Sequence, residues 1–227
     1  MIYVSIDTET TGLESESHKI LSIGAIIEDT SKKLPYDQIP KFNCAILHRE
    51  LVGSPFAINM NRDLIGHIAK YQDSSDDEKK EMEASLKMKF HYEEEAVLAF
   101  FRWLYINRAD LNPPDPNYLA NIQYEIIDGV KSPLIGSKTK PITINVAGKN
   151  FGTFDKKFLE KLPRWKQLIR TKQRIIDPAI LFVDWKNDQT LPNLTECKER
   201  AGVKGIVTHD ALEDAWDVIQ TLRKFYL

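Results

Sequence analysis

Two acidic residues near the amino terminus are placed to bind a divalent cation. Apolar and polar side chains alternate from residue 2 to residue 7, which predicts a β-strand whose side chains face its two sides in turn. Asp7 and Glu9 are two positions apart, so they share one face at a separation of about 7 Å. The Thr-Thr-Gly sequence that follows predicts the end of the strand. The pair is therefore either half of a metal site or part of a solvated turn.

Two more carboxylates occupy positions in predicted helices where apolar side chains are expected. Asp155 precedes three apolar residues at helical spacing, which puts it on the core-facing side of its helix: Phe158, Leu159 and Leu162. Asp214 shares its side of the last helix with Ala211, Ala215, Val218, Ile219 and Leu222. A buried carboxylate needs a partner, which is either a structural cap or ion pair, or a metal ion.

The entrance of the last helix carries a histidine and further acidic residues. His209 lies five residues before Asp214, and a lone histidine at such a position is usually a cap or a surface residue. Asp210, Glu213 and Asp217 follow one another at helical spacing, which predicts that they form the solvent-facing side.

The elements that must position these residues follow from the periodicity of the chain. Residues 19–28 and 42–48 predict two further strands in an antiparallel meander with the first. Residues 56–71 and 92–106 predict helices. The charged residues 73–85 predict either a mobile loop or an exposed helix.

The second half of the chain returns to alternating strands and helices. An additional hairpin is predicted within residues 117–140, and a strand over residues 141–148 precedes the helix of Asp155. Residues 174–183 predict a short strand followed by a helical turn, and residues 191–202 predict a helix that ends at a glycine. Two further aspartates, Asp177 and Asp184, are predicted to cap these elements.

Length and composition indicate the class of protein. The chain has 227 residues, 42% of them hydrophobic, which predicts one domain with an extended insertion at about residues 53–140. The sequence has no apolar run of membrane-spanning length, and its first residues predict a core strand, so a soluble, cytoplasmic protein without a membrane partner is expected. Cys44 and Cys197 are too few for a disulfide framework and are predicted to be reduced, partly buried thiols.

Charge is unevenly distributed although the formal net charge is only −2. Residues 149–174, here called the basic segment, contain two acidic and nine basic side chains: Lys149, Lys156, Lys157, Lys161, Arg164, Lys166, Arg170, Lys172 and Arg174. This segment predicts either a surface that follows a phosphate backbone or an ordinary solvated face.

Three segments together carry a recognisable set of motifs. They are Ser5-Ile-Asp-Thr-Glu-Thr-Thr-Gly-Leu, Gly148-Lys-Asn-Phe-Gly-Thr-Phe-Asp-Lys-Lys-Phe-Leu and His209-Asp-Ala-Leu-Glu-Asp-Ala. In order and separation they resemble the exonuclease motifs of the DEDDh 3'-5' exonucleases, a family that includes proofreading exonuclease subunits, oligoribonuclease and ribonuclease T. The resemblance implies an α/β, ribonuclease H-like fold in which a mixed central sheet is flanked by helices.

The resemblance also implies roles for individual residues. Four carboxylates would hold two Mg²⁺ or Mn²⁺ ions, namely Asp7, Glu9, Asp155 and Asp214, because hard oxygen ligands favour these metals. Two ions about 3.5 to 4 Å apart can generate hydroxide and stabilise the leaving oxygen of a phosphodiester. His209 would be the general base, since its ordinary pKa near 6.5 suits that task. Substrate contacts are implied for Thr10, Gly12, Leu13 and Asn150.

The sequence departs from commoner members of this family in two places. Gly148-Lys-Asn150 stands where many relatives have a His-Asn pair, and the segment 53–140 is longer and more charged than in minimal members. Two hypotheses result: a metal-dependent 3'-5' exonuclease that acts on the 3' end of single-stranded DNA or RNA, or a nucleic-acid-binding protein that keeps the fold without turnover. The sequence leaves open the choice between DNA and RNA, the oligomeric state and any protein partner.

Overall fold

The first strand lies inside a five-stranded mixed sheet. The computed structural model describes residues 1–108, 123–127, 130–134 and 141–227. The strands of the main sheet are β1 (Ile2–Thr10), β2 (Ile20–Asp29), β3 (Lys41–Leu47), β4 (Lys89–Tyr92) and β8 (Val146–Ala147). Their order is β4-β3-β2-β1-β8, with antiparallel β1–β2 and β2–β3 pairs and parallel β3–β4 and β1–β8 pairs. The predicted meander of the first three strands is confirmed.

Two smaller ladders complete the strands. β5 (Gln123–Ile127) and β6 (Val130–Leu134) form an antiparallel hairpin, which agrees with the hairpin predicted within residues 117–140. β7 (Ile142–Ile144) pairs in parallel with β9 (Ile169–Thr171). The strand predicted over residues 141–148 is therefore divided between two sheets, and β9 was not predicted.

Helices cover both faces of the main sheet. In chain order they are α1 (Pro55–Met60), α2 (Arg62–Asp73), α3 (Asp76–Leu86), α4 (Glu93–Asn107), α5 (Asp155–Leu159), α6 (Trp165–Leu168), α7 (Pro178–Phe182), α8 (Leu194–Ala201) and α9 (Ala211–Leu222), followed by a 3₁₀ turn at Arg223–Phe225. Apolar residues of α4, α5 and α6 pack on the face that carries Val4 and Ile6. Residues of α9 pack on the opposite face, against Tyr3 and Ile26.

The helix predicted over residues 56–71 is wrong in one respect, because the structure has two helices there. Asn61 ends α1 and precedes α2, and its backbone has φ −96° and ψ 17°, outside the helical range. Its side-chain amide donates to the carbonyl oxygens of Thr10 and Ala57, at 3.3 and 3.2 Å. These contacts join the break between the helices to the end of β1.

Other helical predictions are confirmed or narrowed. Residues 73–85 are mostly helical, as part of the exposed helix α3, which begins with a capping box between Ser75 and Glu78 and extends to Leu86. α8 ends at Gly202, whose φ of 66° is favourable for glycine. Asp177 caps α7 through the Ala179 N–H, whereas Asp184 caps a turn by accepting from the Lys186 N–H.

The architecture confirms the predicted α/β fold class with a mixed sheet flanked by helices. In the part of the chain that the structure describes, no helix is both long enough and apolar enough to cross a membrane. Both cysteines are free thiols, and they are buried rather than partly buried.

Candidate active site

The end of β1 presents the first two candidate ligands. Asp7 pairs with Gly24 of β2 and Glu9 pairs with Ser22, so both side chains lie on the face of the sheet that α9 covers. Asp7 is half-buried and Glu9 is buried. The register shifts between Glu9 and Thr10, where the regular ladder ends. The side chains of Asp7 and Glu9 therefore lie on the same face of β1, as the alternation of its residues predicts.

Asp155 is the first residue of α5 and is almost completely buried. The Thr8 hydroxyl donates a hydrogen bond of 2.7 Å to Asp155 Oδ1, which ties α5 to β1. The turn that leads to α5 approaches β1 closely at Gly148, where a Cβ atom would lie 2.7 Å from the Ile6 carbonyl oxygen. Glycine at this position allows the approach that brings Asp155 to β1.

Asp214 reaches the site from the first turn of α9. Asp210 is the N-cap of this helix, and its carboxylate accepts from the N–H groups of Leu212 and Glu213, each at 3.0 Å. α9 lies directly on β2, since a Cβ on Gly24 would be 2.2 Å from the backbone carbonyl carbon of Ala211. Only glycine at this position lets the helix descend onto the strand and bring Asp214 beside β1.

Burial raises the pKa values of all four carboxylates, and repulsion between like charges adds to this for Asp7, Glu9 and Asp214. Loss of hydration is the largest cause for Asp7, whose pKa is well above its usual value, and repulsion by Asp155 and then by Glu9 adds to it. Loss of hydration also raises the pKa of Glu9 to about 8, with repulsion by Asp214 next. Burial raises the pKa of Asp155 to about 6, although the Thr8 hydrogen bond opposes this.

Asp214 shows the same effect. Burial raises its pKa to about 7, and Asp217 and Asp210 contribute repulsion. Among the described residues, no Lys or Arg side chain forms an ion pair with any of the four carboxylates. A cluster of buried acids without cations is unfavourable when ionised, and it becomes favourable when a cation binds.

The donor set fits a hard divalent cation. Asp214 Oδ1 is buried and has no hydrogen-bond partner within the described parts of the chain, although a buried carboxylate oxygen normally has one. One ligand atom each from Glu9, His209 and Asp214 lies within 4.8 Å of the others. The carboxylate oxygens suit Mg²⁺ or Mn²⁺. The orphaned oxygen therefore points to a cation as the missing partner.

His209 stands at the opening of the site. Its side chain is exposed, and its backbone has a φ of 56°, an uncommon left-handed conformation for a residue other than glycine. The next residue, Asp210, caps α9, so of the two ordinary interpretations of His209, a cap or a surface residue, the structure agrees with the surface residue. The left-handed residue turns the chain into the helix while its ring lies near Glu9 and Asp214.

The four residues with implied substrate contacts differ in their exposure to solvent and in their hydrogen bonds. Thr10 is buried and its hydroxyl donates to the Gly12 carbonyl oxygen at 2.8 Å, while Leu13 is 78% exposed. Gly12 is buried under the ring of His18, which would be 2.5 Å from an added Cβ. Asn150 lies in the turn before α5, with its N–H bound to Asp177 and its side-chain oxygen bound to Lys149.

Asp217 is the residue on which the sequence prediction was wrong. It was predicted on the solvent face of the last helix, yet it is 7% exposed and forms an ion pair with Lys198 of α8. The reason is that α8 packs on this side of α9, and helical periodicity within α9 alone cannot show which side a neighbouring helix covers.

The basic segment is divided by the structure. Lys156 and Lys166 both pair with Glu160, and Lys161 pairs with Glu16 and donates to the Ser15 carbonyl oxygen. Lys157 is exposed, and so are Arg170, Lys172 and Arg174. Part of the segment therefore serves internal contacts, and the four exposed side chains just named are accessible to a polyanion.

Comparison with known proteins identifies similar folds. No protein-family model matches the sequence. No curated protein matches it either. Among solved structures, a zinc-bound complex of E. coli exonuclease I with single-stranded DNA is 13% identical, with a TM-score of 0.52, and the match covers 98% of this chain and 39% of that one.

Two further structures agree with this match. E. coli exonuclease I bound to a dT13 oligonucleotide is 12% identical with a TM-score of 0.52, over 99% of this chain and 41% of that one. Exonuclease I from Methylocaldum szegediense is 14% identical with a TM-score of 0.51, over 98% and 40%. This chain thus spans about two fifths of the length of those proteins. At such identities the likeness shows the fold, and the predicted ribonuclease H-like class is confirmed.

Proposed function

We propose that this chain is a divalent-metal-dependent 3'-5' exonuclease that removes nucleoside 5'-monophosphates from the 3' end of single-stranded DNA or RNA. The observation that carries the proposal is the cluster of Asp7, Glu9, Asp155 and Asp214, which three separate elements bring together and with which no Lys or Arg of the described residues forms an ion pair. The chain shares its fold with exonuclease I, and solved structures of that protein contain single-stranded DNA or an oligonucleotide. This likeness supports the same conclusion.

The carboxylates would hold two Mg²⁺ or Mn²⁺ ions. Such ions supply charge neutralisation at the scissile phosphate and lower the pKa of bound water. Asp214 Oδ1, which is buried without a partner in the described structure, is suited to contact an ion directly. Thr8 orients Asp155 by its hydrogen bond, so that residue keeps a fixed position when charged.

The remaining groups would handle a proton and the substrate. His209 is exposed at the mouth of the site and would accept the proton of the attacking water. Leu13 is exposed beyond the end of β1 and would pack against the terminal base, while the buried turn of Thr10 and Gly12 fixes its position. Asn150 would contribute from the turn before α5.

A digestion experiment tests the proposal. Purified protein is incubated with 5'-labelled and 3'-labelled oligonucleotides of matched DNA and RNA sequence, single- and double-stranded, in the presence of Mg²⁺ or Mn²⁺. The 3' label should leave first as a mononucleotide, and the 5' label should give a ladder that shortens one nucleotide at a time. A covalently closed single-stranded circle, the matched control, should remain intact.

The outcomes separate the two hypotheses. Binding of the oligonucleotides without any mononucleotide release, under all metals, would support the inert nucleic-acid-binding alternative and reject the enzyme. Cleavage of the circle would reject an exonuclease in favour of an endonuclease. The DNA and RNA arms give the substrate preference in the same experiment.

A further inference from the structure

A buried lysine lies behind the candidate active site. Lys198 is in α8 and only 2% exposed, which is rare for a lysine because its charge must be compensated. Its ammonium group donates to Asp217 Oδ2 of α9, and it also donates to the carbonyl oxygen of Ile206 at 3.3 Å. The Lys198 ammonium group therefore contacts α9 and, at the same time, the loop that connects α8 to α9.

That loop, residues 203–209, ends at the candidate general base. Most of it is exposed, and the Ile206 side chain is 80% exposed, although Val207 packs against the apolar cluster of α9. Hydrogen bonds hold its two ends: the Val203 N–H donates to the Lys198 carbonyl oxygen at 2.8 Å, and the Thr208 hydroxyl donates to Glu213 at 2.7 Å. Between these two ends, the Lys198 ammonium holds the middle of the loop.

A buried ion pair contributes little net stability to the packing of two helices, because both charges lose their hydration. Two apolar side chains of similar volume would pack α8 on α9 at equal or lower cost, so the pair is poorly explained by helix packing alone. The contact with Ile206 is something that an apolar side chain cannot make, because only a donor can satisfy the carbonyl oxygen. This contact is three residues before His209.

We propose that Lys198 is a positioning residue that anchors the 203–209 loop and thereby holds His209 beside Glu9 and Asp214. Asp217 keeps the ammonium group in place and compensates its charge. The effect on catalysis rests on the proposed exonuclease function, whereas the anchoring of the loop does not.

Paired substitutions separate anchoring from simple stabilisation. Lys198→Met removes the cation and leaves the Asp217 carboxylate buried without its partner, so the melting temperature of this variant should fall below that of the wild type. Lys198→Met/Asp217→Leu replaces the pair by apolar side chains and should recover most of that loss. Asp217→Asn is the matched control, since it removes the negative charge but keeps a side-chain oxygen that can accept from the Lys198 ammonium group and hold it at Ile206. Lys198→Leu/Asp217→Met, a second apolar pair that also lacks a donor, replaces the first pair if that pair does not fold.

Limited trypsin digestion is the readout that does not depend on metal or activity. Cleavage after Lys204, within the loop, should become about tenfold faster in Lys198→Met/Asp217→Leu, the value of one charge-assisted hydrogen bond. Asp217→Asn should be cleaved at close to the wild-type rate. Wild-type resistance of the loop in the double variant would overturn the proposal, because Lys198 would then serve only to pack the helices.

Kinetics supply the second arm. In the folded double variant, kcat should fall by about tenfold to 10²-fold with KM unchanged, as expected when a catalytic group is misplaced and substrate binding is intact. A double variant with recovered stability and wild-type kcat would also overturn the proposal. If the wild-type protein itself does not cleave nucleic acid, the proposed function fails, and the trypsin arm alone decides whether Lys198 anchors the loop.

Discussion

Acidic side chains lie near both ends of the antiparallel pair of β1 and β2, and they differ in whether a basic side chain compensates their charge. At one end Glu28 is 1% exposed and accepts two hydrogen bonds of 2.8 Å from Arg223 and one of 3.1 Å from Tyr226. Tyr226 is in turn bonded to Tyr3 at 2.7 Å. At the other end Asp7 and Glu9 face Asp155 and Asp214, and none of the four has an ion-pair partner in the part of the chain that the structure describes.

The difference separates a structural use of a buried charge from a functional one. The Glu28 carboxylate is fully compensated, so it stabilises the attachment of the carboxyl terminus and has no capacity left for a ligand. The four-carboxylate cluster is uncompensated, so it costs stability in the isolated chain and can recover that cost when a cation binds. Burial alone therefore does not mark a binding site, whereas burial without a partner does.

The largest effect is expected from Asp7→Asn at the uncompensated end. Removing one charge should abolish turnover, because the cluster can no longer hold its ions, while relief of repulsion leaves the fold intact and raises the metal-free melting temperature. Mononucleotide release from a labelled oligonucleotide, with calorimetry in a chelator, measures both. Retention of more than a few per cent of wild-type activity would show that the site lies elsewhere.

His209→Ala and Asp214→Asn should come next, and they should differ. His209→Ala should lose about 10²- to 10⁴-fold in rate, the usual contribution of a general base, and keep its Mn²⁺ affinity. Asp214→Asn should bind Mn²⁺ more weakly, so that high Mn²⁺ restores part of its activity and none of that of His209→Ala. Calorimetric titration of Mn²⁺ checks this, and an equal loss of affinity in both variants would make His209 a ligand or a structural residue.

At the compensated end, Glu28→Gln should reverse the pattern. It leaves Arg223 without its anionic partner, so the free energy of unfolding should fall by about 2 to 3 kcal/mol while the activity of the folded protein stays unchanged. Urea unfolding and the digestion assay, run at a temperature where the variant is folded, make the comparison. A loss of activity larger than the loss of folded protein would mean that the two ends are coupled.

The metal-free protein should become less stable as pH rises. Because the folded-state pKa of Glu9 is about 8 and that of Asp214 about 7, both above their ordinary values, the folded chain keeps protons that the unfolded chain releases. The stabilisation is complete below about pH 4 and is lost as pH rises towards 8, by roughly 4 kcal/mol for each of the two carboxylates at about 1.36 kcal/mol per pKa unit. Melting curves in EDTA should show this slope, and saturating Mg²⁺ should remove it; a flat profile in EDTA would argue against a strained cluster.

The smallest effect should come from surface charge. Lys156→Glu/Lys157→Glu, close to Asp155, should weaken oligonucleotide binding. The slope of log affinity against log salt concentration should become shallower by about 0.7 for each phosphate that the variant no longer neutralises. Lys224→Glu, on the exposed carboxyl-terminal turn at the other end, is the control and should leave the slope unchanged. If the double variant keeps the wild-type slope, these lysines belong to a solvated face.

Much of the site could be predicted because its information is local. The alternation of β1 places Asp7 and Glu9 on one face, and the helical periodicity around Asp155 and Asp214 places each among apolar residues. These patterns follow from the geometry of a single strand or helix, so they need no knowledge of neighbouring elements. The meander and the helices α4, α8 and α9 were predicted for the same reason.

Other features were decided only by contacts between distant parts of the chain. The sequence of α9 predicts a buried Asp214 and a solvent-facing Asp217, and only the packing of α8 buries Asp217 against Lys198, while Asp214 has no ion pair within the described residues. Gly24 resembles any strand glycine until α9 is seen to lie on it. The partners of a side chain depend on which elements pack against each other, and the periodicity within one element does not show which other elements pack on it.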